Sequence, residues 1–221
     1  MLPRAGCAMS DFERIFENNR AWVGRKVAAD PGYFTRLARG QEPRLLYIGC
    51  SDSRVTPEEI MGVDAGELFV HRNIANLVIG TDVNLNAVVQ YAIEHLGVKH
   101  IIVCGHYECG GVKAALHPAD RGQLNGWLQT LRDAYRLHQE ELDAIADRRQ
   151  RFDRLVEINV LEQCINIIKI DHWQRAWYKT GAPMIHGWVF DIRTGLLKDL
   201  ALDMGKEIAG IRAIYDLKPL G

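Results

Sequence analysis

Apolar residues Phe12, Ile15, Phe16, Trp22 and Val23 recur at helical spacing behind Ser10-Asp11-Phe12-Glu13, a capping-box sequence, and predict a first helix. Asp30-Pro31 predicts a second helix, with Asp as N-cap and Pro at the first helical position. Both precede any strand, so they read as an arm laid over a partner subunit. From Arg44 the pattern changes. Leu45-Leu46-Tyr47-Ile48 is a continuous apolar run ending in Gly49, as expected of a strand buried on both faces. Thr56-Pro57-Glu58-Glu59 opens a short helix, and Glu67 to His71 reads as a second strand. Leu85, Val88, Val89, Ala92, Ile93 and Leu96 then mark one face of an amphipathic helix closed by Gly97.

His100 to Cys104 is the third strand, and Gly110 to Leu116 opens another helix. Residues 123 to 151 are charged and helical in composition, and 152 to 179 form a long, more apolar helical stretch ending at Gly181. Met184 to Asp191 and Leu196 to Leu202, joined through Arg193-Thr194-Gly195, read as a hairpin. Strands alternating with helices predict an α/β fold: a mostly parallel central sheet flanked by helices, with an N-terminal helical arm and an antiparallel C-terminal hairpin. The organisation is a single domain over 1 to 221, with the arm at 10 to 40 and the α/β core at 41 to 221. In such sheets ligands bind beyond the carboxyl ends of strands, where neighbouring connections run to opposite faces.

Composition narrows the function classes. A formal net charge of −1 gives no reason to expect nucleic acid or an anionic membrane as partner. The apolar runs fall far short of the roughly 20 residues needed to span a bilayer, and no secretory leader is visible; Met9 reads as a natural start of the folded part. Five cysteines are too few and odd in number for a disulfide framework, so the cytoplasm is the expected compartment. Cys7 reads as a surface thiol, and Cys104 and Cys164 as buried hydrophobes. His71, His95, His100 and His186 read as satisfied strand-end or helix-end residues.

Two motifs escape these ordinary readings. Cys50-Ser51-Asp52-Ser53-Arg54 and His106-Tyr107-Glu108-Cys109-Gly110-Gly111 each follow a strand, so the topology can bring them to one rim. Two thiolates and an imidazole select zinc over magnesium or calcium. Cys50, His106 and Cys109 would be permanent ligands, with the fourth vertex left to water or to Asp52. Arg54 can hold Asp52 bidentately, leaving that vertex open; Asp52 swung onto the metal would close it. A structural site would use four Cys or His donors, whereas here the fourth candidate is a carboxylate with an Arg partner.

Cys-Ser-Asp-Ser-Arg followed by His-x-x-Cys-Gly-Gly resembles the β-class carbonic anhydrases, of the bacterial type. The resemblance extends through 66 to 76, Val89-Gln90-Tyr91 and His186-Gly187-Trp188. It implies Cys50, His106 and Cys109 as zinc ligands, Asp52 and Arg54 as the catalytic dyad, and reversible hydration of carbon dioxide to bicarbonate by zinc-bound hydroxide. It further implies that Gln41 donates a hydrogen bond to substrate, that Phe69, Ile74, Tyr91 and Gly110 line the substrate pocket, and that the protein is a homodimer or a tetramer of paired dimers. Some bacterial members carry an inhibitory bicarbonate pocket of Trp, Arg and Tyr. Arg72 matches its Arg, but Tyr47 and Phe190 replace the other two, so that pocket is expected to be absent or weak. The rival readings are a hydrolase of carbon disulfide or a similar cumulated molecule, and a non-catalytic zinc-stabilised assembly module.

Overall fold

The computed structural model describes residues 11–215, so Cys7, Met9 and the capping residue Ser10 lie outside the described residues. The chain divides after Gln41 into two compact units. In the first, helix α1 (Asp11–Ala29) is followed by the short α2 (Tyr33–Leu37). Trp22 meets Tyr33 and Phe34 edge-on at 6.4 and 5.4 Å between ring centroids, and Lys26 lies over the Tyr33 ring. The second helix starts later than Asp30-Pro31 predicts. The Asp30 carboxylate accepts from the Gly32 amide at 2.9 Å and pairs with Arg36, so it closes a turn before the helix. Phe12, Ile15 and Phe16 stay exposed on this unit, at 75%, 58% and 63%.

The second unit is an α/β fold. Its elements run β1 (Leu45–Cys50), α3 (Pro57–Met61), β2 (Leu68–Asn73), a 3-10 turn (Ile74–Asn76), α4 (Val83–Gln90), a π turn (Tyr91–His95) and β3 (His100–His106). They continue with α5 (Gly110–Leu116), α6 (Leu124–Trp127), α7 (Gln129–Leu137), α8 (Gln139–Asp143), α9 (Arg148–Ile168) and α10 (Asp171–Thr180). β4 (Met184–Asp191), β5 (Leu196–Asp199) and α11 (Met204–Arg212) complete it. The sheet order is β2-β1-β3-β4-β5, parallel except for the β4–β5 pair.

Alternation along the strands sorts their residues between the two faces of the sheet. Leu46, Ile48, Ile101 and Val103 join the large core with Leu155, Val156, Val160 and Cys164 of α9. Tyr47, Ile102, Cys104 and Phe190 form a smaller cluster on the other face, against Ile60 and Met61 of α3. Two glycines permit close approach. A methyl at Gly49 would lie 2.3 Å from Tyr47 Cε1, and one at Gly105 would lie 2.7 Å from Val160 Cγ2, where α9 crosses β3.

Several boundaries differ from the periodicity. The predicted helix over 152 to 179 is two helices, because Ile170 is extended (φ −72°, ψ 130°) and the Gln174 amide caps Ile168 O at 3.0 Å. The stretch from 123 to 151 breaks into α6, α7, α8 and the start of α9. The helix ending at Gly97 finishes as a π turn, with Leu96 N bonded to Tyr91 O. Thr56 is the N-cap of α3 as expected, but its hydroxyl caps no amide and donates instead to Glu59 Oε2 at 3.0 Å. β3 runs to His106, not Cys104, because its ladder with β4 continues through His106 opposite Phe190. β5 stops at Asp199, and α11, which the pattern did not announce, starts at its N-cap Asp203. No helix among the described residues is long and apolar enough to cross a membrane.

Candidate metal centre

The chain runs from β1 outward to β2 on one side and then to β3 on the other, so the β1/β3 boundary is the point at which connections diverge. Cys50 ends β1 and His106 ends β3. Three residues further on, Cys109 sits as the N-cap of α5 after Glu108 turns the chain through a left-handed conformation, φ +60°. The close approach is local: a methyl at Gly111 would sit 2.9 Å from Ile74 Cγ2 and 3.0 Å from Ala75 Cβ. At Gly110 it would meet nothing within 4 Å.

Cys50 Sγ, Cys109 Sγ and one His106 ring nitrogen lie within 4.8 Å of one another, and all three residues are buried. The two sulfurs are 3.9 Å apart. A tetrahedron with Zn–S bonds of about 2.3 Å has an S···S edge of about 3.8 Å, so the spacing suits zinc without rearrangement. His106 Nδ1 donates to Tyr107 O at 2.9 Å, which leaves a lone pair on Nε2. That nitrogen is fully buried and has no hydrogen-bond partner among the described residues, an arrangement that costs energy unless a cation takes the lone pair. The donor set therefore fits zinc.

Charge points the same way. The Cys109 thiol draws the Cys50 thiol well below its ordinary value against the opposing effect of burial, helped by His106 and the amides of Ala75 and Asp52. The same contact, with burial, pushes Cys109 up. Two buried sulfurs this close share one negative charge until a cation joins them.

Asp52 stands beside this cluster, with Oδ2 3.7 Å from His106 Nε2. Arg54 grips it twice, Nε to Oδ1 at 2.9 Å and Nη2 to Oδ2 at 2.7 Å, and the Arg54 amide adds a third bond at 3.0 Å. These bonds hold the carboxyl well below the usual range despite partial burial. Of the two orientations the sequence leaves open for Asp52, the structure shows the one held by Arg54. Arg54 Nη2 also reaches Glu108 O at 3.4 Å, tying the two motif loops together.

The other singled-out residues fall in three places. Phe69 and Tyr91 stack at 5.7 Å, and Ile74, half-exposed, begins the turn that packs against Gly111. Gln41 is exposed and is the last residue of the first unit. Cys104 and Cys164 are buried hydrophobes as expected, His71 contacts Asn73, and His100 pairs with His186 at 3.0 Å. Sequence reasoning missed the support behind the centre. Arg72 donates to Cys50 O and Asp52 O, and Tyr107 OH donates at 2.6 Å to Glu157, which also holds Lys198 and Arg154. Asn159 and Gln163, buried polar residues one turn apart on an apolar helix face, were a readable signal for a further network.

A family model described as carbonic anhydrase matches residues 45–197. The chain belongs to the β-class carbonic anhydrases. It is 58% identical over 205 residues to a carbonic anhydrase of Emericella nidulans, covering 93% of this chain and 90% of that protein. A tetrameric β-carbonic anhydrase of Sordaria macrospora superposes with TM-score 0.82 at 42% identity, covering 86% of this chain and 97% of that one. The β-carbonic anhydrase CafA of Aspergillus fumigatus superposes with TM-score 0.87 at 33% identity, over 95% of this chain and 100% of that one. The carbonic anhydrase class is what these relatives share; they are fungal and do not single out a bacterial type.

Proposed function

We propose that the chain binds zinc through Cys50 Sγ, His106 Nε2 and Cys109 Sγ and uses it for the reversible hydration of carbon dioxide to bicarbonate and a proton. The observation that carries this is the unpartnered, buried His106 Nε2 set against two sulfurs at a tetrahedral edge length. Zinc bound there supplies the Lewis acidity that makes a water nucleophilic near neutral pH.

The remaining roles belong to side chains. Asp52, kept ionised by Arg54, is an acceptor only. Its Oδ2 flanks the metal donors, where it can take a hydrogen bond from the reacting water and aim the oxygen at the substrate carbon. Arg54 holds that carboxylate off the metal and orients it bidentately. Gln41 donates to a substrate oxygen, and Phe69, Ile74, Tyr91 and Gly110 wall a small pocket for carbon dioxide. The protein works as a homo-oligomer, a dimer or a tetramer: Phe12, Ile15 and Phe16 on α1 and Ile74 and Tyr91 near the core motifs are exposed apolar side chains that a second copy would cover. Every described cysteine is free and buried, which supports a reducing compartment, the cytoplasm.

Zinc analysis of the purified protein, paired with a stopped-flow carbon dioxide hydration assay, tests this reading. One zinc per chain and turnover that disappears in Cys109→Ala together with the metal are expected. Turnover of carbon disulfide in place of carbon dioxide, or zinc binding without turnover, would overturn it.

A further inference from the structure

Asp52 can serve only if its backbone is held, and its own motif offers little to hold it. The Ser51 amide donates to Asn73 O at 2.9 Å, and the Val55 amide closes a turn on Asp52 O at 3.0 Å. The first of these already comes from β2, and the remaining restraint comes from a β2 side chain. Arg72 pairs with Gly49 in the β1–β2 register, one residue before the end of each strand. Its half-buried side chain reaches forward along the strand end. There Nε donates to Cys50 O at 2.9 Å and Nη2 donates to Asp52 O at 2.7 Å.

We propose that Arg72 is a positioning residue that clamps the backbone of 50 to 52 from β2, fixing Asp52 in the orientation in which Arg54 takes its carboxylate. The proposal rests on the carbonic anhydrase reading of the site. One fork spans the carbonyls of a metal donor and of the dyad carboxylate, so the sulfur of Cys50 and the carboxylate of Asp52 are referenced to the same rigid group. Two donors in a fixed plane are required to do this. A lysine ammonium at the same position would satisfy one carbonyl at a time and leave the other free to rotate. Without Arg72 Nη2, Asp52 O keeps only the turn bond from the Val55 amide, and the carboxylate is no longer confined to the Arg54 side.

Arg72→Ala and Arg72→Lys, measured beside the wild type, test the clamp by four readouts: zinc content, kcat and KM for carbon dioxide, amide hydrogen exchange at Ser51 and Val55, and the visible spectrum of the cobalt(II)-substituted protein. In Arg72→Ala, zinc is retained, kcat falls on the order of 10- to 100-fold with KM little changed, and exchange at both amides accelerates. The cobalt spectrum changes as the donor set around the metal changes, and added guanidinium restores part of kcat. Arg72→Lys falls between the two. Wild-type kcat per bound metal, or wild-type exchange at Ser51 and Val55, in Arg72→Ala overturns the proposal; so does a lowered melting temperature with kcat and spectrum unmoved. Should Arg72→Ala fail to fold, Arg72→Lys decides: kcat and exchange equal to wild type refute a two-donor clamp, and loss in both sustains it. If the wild type itself hydrates no carbon dioxide, the functional reading fails, while exchange and the cobalt spectrum still judge the clamp.

Discussion

Gln163 offers the sharpest test of how α9 supports the centre. It is fully buried; its Oε1 accepts from the Val78 amide at 2.8 Å and from Asn166 Nδ2 at 3.1 Å, and its Nε2 donates to Asn159 Oδ1 at 2.9 Å. Asn159 in turn donates to Ala75 O at 3.0 Å, and the Ala75 amide points at the Cys50 sulfur. The substitution Gln163→Leu keeps the approximate volume and removes every polar atom. Two groups lose a partner in a dry environment, the Val78 N–H and Asn159 Oδ1, while Asn166 keeps its bond to Val78 O. At about 1–3 kcal/mol for each orphaned buried group, the expected loss for the two is about 2–6 kcal/mol. At about 2–4 °C per kcal/mol for a chain of this length, that corresponds to a melting point lower by roughly 4–24 °C.

Urea denaturation at one fixed protein concentration reads the loss as a lowered midpoint with an unchanged slope; the concentration must be held because an oligomer's stability depends on it. Asn159→Leu alone should cost a similar amount. The double variant should cost less than the sum of the two, because the Asn159 Oδ1 bond is lost once and not twice. A loss under about 1 kcal/mol in Gln163→Leu, or strict additivity in the double variant, would refute the claim that this ladder braces the 75 to 78 segment.

Four further outcomes are expected. Asp52→Asn retains zinc, because the three donors are untouched, and lowers carbon dioxide hydration by roughly 100-fold in a stopped-flow assay. Chelation abolishes turnover but leaves the far-ultraviolet circular dichroism spectrum in place, since Cys50 and Cys109 join a core whose bulk is apolar packing by residues such as Leu46, Leu85, Val89, Leu155 and Val160; a collapse of that spectrum would refute this. Burial raises the pKa of Glu157, but Lys198, Tyr107 and Arg154 outweigh it and leave the carboxyl below its ordinary value. A depressed carboxyl contributes stability above its unfolded pKa of about 4.3 and loses it as pH falls through the folded value, so Glu157→Gln should be destabilised at pH 7 and approach wild type in acid, by melting temperature. Bicarbonate should inhibit only weakly, because the Arg72 fork is occupied by two carbonyls; strong inhibition in the same assay would contradict that.

The centre was legible in the sequence because its chemistry follows strand ends, and strand ends announce themselves. Leu45 to Ile48 and His100 to Cys104 are apolar runs, and the residues just past them must sit on one rim of a parallel sheet. Asp52 and Arg54 are two residues apart, so their pairing is a local matter too. The helix ends were less readable. Between α9 and α10 no glycine or proline marks the break; it is made by Gln174 reaching back to Ile168 O and by the packing of Trp173, whose indole donates to Pro183 O. Local pattern cannot carry an instruction written by partners from another element.

The same distinction explains which contacts escaped. Arg72 lies in a strand whose alternation predicts only that it faces away from its neighbours, and its partners are backbone carbonyls 20 and 22 residues earlier. A carbonyl carries no side-chain identity, so no motif spacing can reveal the contact. Asn159 and Gln163 differ, because they break a rule in view: two amides at i and i+4 on the buried face of an apolar helix must find partners or cost stability. Their partners prove to be the backbone of the 75 to 78 turn, where Ala75 and Asn76 both take positive φ. The strained turn and the buried amides are therefore one device: α9 holds a left-handed segment in place so that Ala75 N–H can face the Cys50 sulfur.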